Sequence, residues 1–188
     1  MARIPFVTRD DVDESERATY DAFVAMRAER PNKGPTGPFA LLGHMPELAH
    51  RLESYRLAIR DESSLSKSLQ ELVMITVARE MDCDYIWYAH SAAARSAGVA
   101  PLVIDAIRDR STPEGLSGQE QIVFDFTREL LRTRRVDDAM FARADQQFGR
   151  RGVLTLVHLV GCYAMLAYAM NALALEAPGD TPEPPLPR

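Results

Sequence analysis

A histidine, a cysteine and three aromatic residues fall within one short stretch, CDYIWYAH, from Cys83 to His90. On a helix, residues three, four and seven positions apart lie on one face. Such a face can carry out acid/base or thiol chemistry. These residues share a face only if the stretch forms a helix. The residues that share the face are Cys83, Ile86, Trp87 and His90, with Tyr85 on its flank.

Two kinds of chemistry fit this face. Histidine titrates near neutral pH, so His90 can take up and release a proton, and Glu71 on the preceding predicted helix could fix its tautomer. Cys83 falls in the first turn of the helix, where backbone N–H groups and the helix dipole favour a thiolate. Asp82 and Asp84 act against this, because a neighbouring negative charge raises the pKa of a thiol. The sequence leaves that balance open.

The motif of Glu71, Cys83, Ile86 and His90, separated by eleven, two and three residues, resembles a known signature. It is similar to that of the carboxymuconolactone decarboxylase and alkylhydroperoxidase D-like superfamily, and the resemblance is best over residues 37–98. It implies an all-α, alkylhydroperoxidase D-like helical fold. In the thiol branch of the superfamily a second cysteine stands where Ile86 stands here, so a Cys-x-x-Cys disulfide cycle is excluded within this motif.

The resemblance implies a cofactor-independent acid/base enzyme, because the decarboxylase branch keeps the histidine and acts on a carboxylated muconolactone. The expected reaction is decarboxylation or isomerisation of a small carboxylated lactone or an aromatic ring-cleavage acid. One alternative is a peroxidase-like thiol redox protein that uses Cys83 alone. A further alternative is a non-enzymatic member that only binds a ligand. No cofactor is expected, and the expected partner is a small anionic organic substrate.

Site residues are assigned on this basis. We predict that His90, Glu71 and Cys83 are catalytic. Among the arginines that could clamp a carboxylate, namely Arg3, Arg51, Arg56 and Arg79, the sequence gives no firm ranking, and Arg56 is carried forward as the candidate. The predicted substrate-binding residues are Tyr85, Trp87, His44 and Arg56.

Composition narrows the class of protein. The chain has 188 residues, of which 46% are hydrophobic, and a net charge of −5, so neither nucleic acid nor an anionic membrane surface is an expected partner. Two distant cysteines, Cys83 and Cys162, favour a reducing cytoplasm. The N-terminal residues contain no apolar run and predict no secretory signal. Four scattered histidines predict no metal site.

Apolar periodicity predicts helices between about residues 10 and 175. We expect residues 1–177 to form a single domain, followed by a disordered tail at 178–188. The most apolar stretch, 153–175, is long enough to cross a bilayer. It contains His158 and Asn171, so we expect it to lie in the core or at a subunit interface.

The resemblance implies a homo-oligomer, either a dimer, a trimer or a hexamer. The predicted helices span about 10–30, a short segment before Pro46, a longer one after it, 66–81, 83–98, 101–109, 117–133, 136–148 and 153–175.

Overall fold

The computed structural model describes residues 2–28, 37–179 and 183–187, and in these ranges the chain forms helices and no strand. The predicted all-α fold is confirmed. Residues 29–36, between the first two predicted helices, lie outside the described residues. Two short 3-10 helices, Arg9–Asp11 and Glu14–Glu16, precede α1 (Arg17–Ala28), α2 (Pro38–Leu42), α3 (Pro46–Asp61), α4 (Lys67–Glu80), α5 (Asp84–Ser96), α6 (Pro101–Arg108), α7 (Gly118–Thr133) and α8 (Asp138–Ala172).

Helix α4 lies at the centre of the fold and packs against α5, α7 and α8. Ser66 caps its first turn, because the Ser66 hydroxyl accepts a hydrogen bond from the backbone N–H of Leu69 at 3.3 Å. Every residue from 69 to 79 is buried. A polar side chain on an enclosed helix must find its partners inside the protein. Glu71 is therefore held by interior contacts rather than by water.

Helix α5 folds back along α4 after a short turn. Asp82 in this turn has a left-handed backbone, with φ of 46°, and its carboxylate accepts hydrogen bonds from Arg79 and Arg110. The glycine that follows the end of α5 is Gly98, whose φ is 100°. Because the chain reverses direction in the turn at Asp82, the middle of α5 lies beside the first half of α4.

Helix α8 contains a break at Gly149, where φ is 65°. The sequence predicts two helices at this point, and the break separates the segments that correspond to them. By length and composition α8 could cross a membrane, but half of its most apolar stretch is buried inside the protein. The opposite side remains exposed and forms the α8 stripe, which consists of Leu154, Val157, Met165 and Tyr168.

The C-terminal tail differs from its prediction. Residues 183–187 pack against α5 instead of being disordered, with Leu186 only 7% exposed. Glu183 accepts two hydrogen bonds from Arg95, at 2.6 and 2.8 Å. Composition predicts disorder from the prolines and the charge of this segment, but it does not reveal that Glu183 pairs with Arg95 of α5 and that Leu186 joins the apolar core.

Candidate active site

A cavity of about 860 Å³ lies between α3, α4, α5 and α8, with α1 and α2 at its edge. This volume falls in the range of sites that bind small molecules. Apolar and ionisable side chains both contribute to the wall. The residues that matter most for its chemistry are Arg27, Arg56, Arg60, Lys67, Glu71, Tyr85, Ile86, His90 and Tyr163.

Glu71 and His90 form the predicted pair on the cavity wall. The Glu71 Oε2 atom lies 2.7 Å from Nδ1 of His90, and the Glu71 side chain is only 4% exposed. Burial raises the pKa of Glu71, but the charge and hydrogen bond of His90, together with the charge of Arg60, outweigh it and hold the pKa below its usual value. An ionised carboxylate only accepts hydrogen bonds, so Nδ1 of His90 carries a proton. In the neutral form of the ring, the lone pair is therefore on Nε2.

Arg60 completes this pair and is absent from the sequence prediction. Its Nη2 atom donates to the second oxygen of Glu71 at 2.8 Å, so both carboxylate oxygens of Glu71 are engaged. Arg60 also donates to the hydroxyl of Tyr163 through Nη1, at 3.5 Å. The Tyr163 ring meets the His90 ring edge to face, with centroids 5.2 Å apart. Neither residue belongs to the local motif, since Arg60 lies on α3 and Tyr163 on α8.

Arg56, a predicted substrate-binding residue, also lies on the cavity wall. It donates two hydrogen bonds to Glu53, at 2.6 and 2.8 Å, while Arg27 approaches the same carboxylate at 3.2 Å. Burial acts to lower the pKa of Arg56, but the hydrogen bonds and charge of Glu53 and the contact with Tyr163 raise it overall. Arg56 therefore carries its positive charge at the wall of the cavity.

Tyr85 and Ile86 line the cavity, whereas Cys83 does not. Gly37 fits against Tyr85 so closely that a Cβ there would overlap the Tyr85 hydroxyl, and its φ of 58° also favours glycine. Cys83 is 1% exposed, and burial raises the pKa of its thiol despite the neighbouring backbone N–H groups of Tyr85 and Ile86. The predicted catalytic cysteine is thus a protonated core residue beside the site.

Two predicted substrate-binding residues lie elsewhere. Trp87 does not wall the cavity, because it is 2% exposed and its indole N–H donates to the carbonyl of Pro184 at 2.8 Å. His44 is exposed, and its Nε2 atom is bonded to the carbonyl of Pro5 at 2.9 Å. The other candidate arginines, Arg3, Arg51 and Arg79, interact with Ala172, Glu47 and Asp82 and do not line the cavity.

The described part of the chain contains no group of three His, Cys, Asp or Glu side chains that could hold a metal ion. Gln70, which lines the cavity, is committed to backbone carbonyls of Arg60 and Leu65. The ionisable groups of the site are thus organised around the two carboxylates of Glu71 and Glu53. Such an arrangement can move protons and hold an anion.

Residues 46–129, which contain the motif and most of its supporting helices, match the carboxymuconolactone decarboxylase family. This match covers somewhat less than half of the chain, and it shows that the helices carrying the motif are similar to those of that family. No curated protein matches the chain in sequence.

Solved structures with the same fold cover nearly the whole chain. An uncharacterised peroxidase-related protein from Ralstonia eutropha JMP134, described as an alkylhydroperoxidase AhpD core, has a TM-score of 0.76 at 17% identity, over 95% of this chain and 93% of its own. A peroxidase-related protein from Silicibacter sp. TM1040 has a TM-score of 0.75 at 17% identity, over 95% and 92%. The debrominase Bmp8 has a TM-score of 0.71 at 13% identity, over 89% and 90%, and a variant of it has been solved with 2,3,4-tribromopyrrole. These likenesses establish the helical fold.

Proposed function

We propose that the protein is a cofactor-independent acid/base enzyme that decarboxylates or isomerises a small carboxylated lactone or an aromatic ring-cleavage acid. The observation that carries this proposal is the Glu71–His90 pair on the wall of the cavity. The ionised Glu71 selects the tautomer in which the neutral His90 ring has its lone pair on Nε2, and a ring nitrogen with a free lone pair can accept a proton from a substrate.

The proposed reaction uses His90 as the group that moves the proton. In an isomerisation, Nε2 of His90 removes a proton from a carbon next to a carbonyl, the electron pair passes into an enolate, and the same proton returns at another carbon. In a decarboxylation, CO₂ leaves, its bonding electrons form the enolate, and protonated His90 delivers a proton to carbon. Glu71 stabilises the imidazolium in both cases, and Arg60 keeps Glu71 in place.

The charge of the cavity supports an anionic substrate. Four basic side chains and two acidic ones line it, and the buried carboxylate of Glu53 behind Arg27 and Arg56 adds a third negative charge. One positive charge remains in excess, although the chain as a whole carries −5. A cavity of opposite sign to the protein attracts a carboxylate and holds it through guanidinium groups.

The position of Cys83 argues against the thiol redox alternative. A peroxide-reducing thiol needs exposure and a lowered pKa, whereas Cys83 is buried and its pKa is raised. Ile86 does line the cavity, but its side chain contains no thiol. The bound tribromopyrrole of the debrominase variant supports small ring compounds as ligands of this fold.

We further propose that the enzyme is cytoplasmic and works as a homo-oligomer. Cys83 and Cys162 are both free and buried, which is compatible with a reducing compartment. The α8 stripe exposes four large apolar side chains along one helix, and such a face is commonly covered by another subunit.

The experiment that tests the function compares His90→Gln with His44→Gln in turnover of a panel of lactones and muconate-type acids. We expect the wild type and His44→Gln to act alike on at least one compound, because His44 lies outside the cavity. We expect His90→Gln to lose about 10²- to 10⁴-fold in kcat, the usual contribution of a general acid or base. Full activity in His90→Gln would show that the site is wrong. Tight binding without turnover by the wild type would favour the non-enzymatic alternative.

A further inference from the structure

Tyr163 is a polar residue in an otherwise apolar part of α8. Its side chain is 2% exposed overall, yet it lines the cavity beside the His90 ring. Arg60 donates to its hydroxyl oxygen at 3.5 Å, and the Arg56 guanidinium also interacts with that oxygen. A buried tyrosine between two arginines has a distinct chemical consequence for its own proton.

A guanidinium group has no acceptor, so the oxygen of Tyr163 must accept from the arginines, and its O–H proton points to something else. The contacts that the structure describes for Tyr163 include no acceptor for this proton. Burial raises the pKa of Tyr163, although the charges of Arg60 and Arg56 act in the opposite direction. The phenol therefore keeps its proton at neutral pH, and the two nearby positive charges make it a stronger donor.

We infer that Tyr163 is a further catalytic residue, which donates its phenolic hydrogen bond to the substrate oxygen that gains negative charge when His90 moves the proton. The edge-to-face contact of the two rings, with centroids 5.2 Å apart, allows one small ligand to meet both of them. Donors placed beforehand at such an oxygen stabilise the transition state more than the substrate. This inference rests on the proposed function and adds the oxygen-binding half of the site.

Binding of 4-nitrophenolate tests this inference without knowledge of the substrate, because the probe is a small ring with one anionic oxygen. We expect Tyr163→Phe to weaken phenolate binding at least about tenfold in calorimetric titration, as expected for a lost hydrogen bond to a charged group. Binding of nitrobenzene, the same ring without that oxygen, should stay unchanged. Tyr168→Phe is the matched control, since Tyr168 lies on the same helix but is 68% exposed.

A second variant covers the case in which Tyr163→Phe fails to fold. Site-specific 3-fluorotyrosine at position 163 keeps the shape of the ring but makes its O–H more acidic, so we expect tighter binding of the phenolate and unchanged binding of nitrobenzene. Unchanged phenolate affinity in either variant, equal losses for both probes, or no phenolate binding to the wild type would overturn the inference. If His90→Gln still abolished turnover, the proposed function would stand while the role of Tyr163 fell.

Discussion

Replacing Glu71 with glutamine tests the site most directly, because it changes the charge and keeps the shape. The carboxylate of Glu71 accepts from Arg60 at 2.8 Å and from His90 at 2.7 Å. In the variant, the amide oxygen is needed by Arg60, which can only donate. The amide NH₂ group then faces Nδ1 of His90 and donates to it. We therefore expect the neutral ring to reverse its tautomer and to carry its proton on Nε2.

The magnitude follows from burial. Glu71 is 4% exposed and the Arg60 side chain 14%, so the variant leaves a charged guanidinium in the interior without its counter-ion. Breaking a buried ion pair costs about 3–5 kcal/mol, and the amide oxygen keeps one hydrogen bond, which favours the lower end. We expect a loss of about 3 kcal/mol in the free energy of unfolding. Turnover should fall about 10²- to 10⁴-fold, because the base now presents a proton instead of a lone pair.

The assay is long-range ¹H–¹⁵N correlation spectroscopy on protein labelled at its four histidines, combined with urea unfolding. His90→Gln assigns the resonances of His90. The wild type should show the tautomer protonated at Nδ1, and Glu71→Gln should show the one protonated at Nε2. A wild-type ring already protonated at Nε2, or an unchanged pattern in the variant, would refute the reasoning from hydrogen-bond donors and acceptors.

Glu71 also makes the free energy of unfolding depend on pH, because its pKa in the folded state is lowered from an ordinary 4.5. Its contribution to stability is complete above pH 4.5 and is lost as the pH falls through the folded-state pKa. We expect the stability gap between wild type and Glu71→Gln in urea to shrink below about pH 4.5, and a constant gap would contradict this. Burial raises the pKa of the Cys83 thiol, and it raises the pKa of the Cys162 thiol to about 11. A disulfide reagent should therefore label the folded chain at least about tenfold more slowly than the unfolded chain. Equal labelling rates would rule out buried, protonated thiols. Tyr168→Glu in the α8 stripe should lower the mass found by light scattering, whereas Leu102→Glu, on the exposed side of α6, should not. A monomeric wild type would contradict the proposed subunit contact.

The sequence predicts the helices and the Glu71–His90 pair because both depend on local spacing. It misplaces the neighbours of His90 for a geometric reason. Along a helix, Ile86 lies about 40° to one side of His90, whereas Trp87 lies about 60° to the other side and turns into the core. Cys83 is the N-cap, with an extended backbone, so the helical face does not reach it.

Arg60 and Tyr163 could not be predicted from the motif. Each is one polar residue on a helix whose face is decided by packing, and the contact between them spans 103 residues of sequence. Arg56 could be named only as one of several arginines, because nothing local distinguishes it from Arg51, which lies on the same helix but pairs with Glu47 on the surface. Tertiary contacts select among such candidates.

Trp87 is the only tryptophan of the chain, and its indole is bonded to a tail carbonyl. Its fluorescence is therefore an optical reporter of that contact, built into the chain without a dye. Release of the tail would expose the ring to water and shift its emission to longer wavelength, while the helices and their circular dichroism stay intact. Because Trp87 lies outside the cavity, the same emission allows tail release to be followed separately from ligand binding.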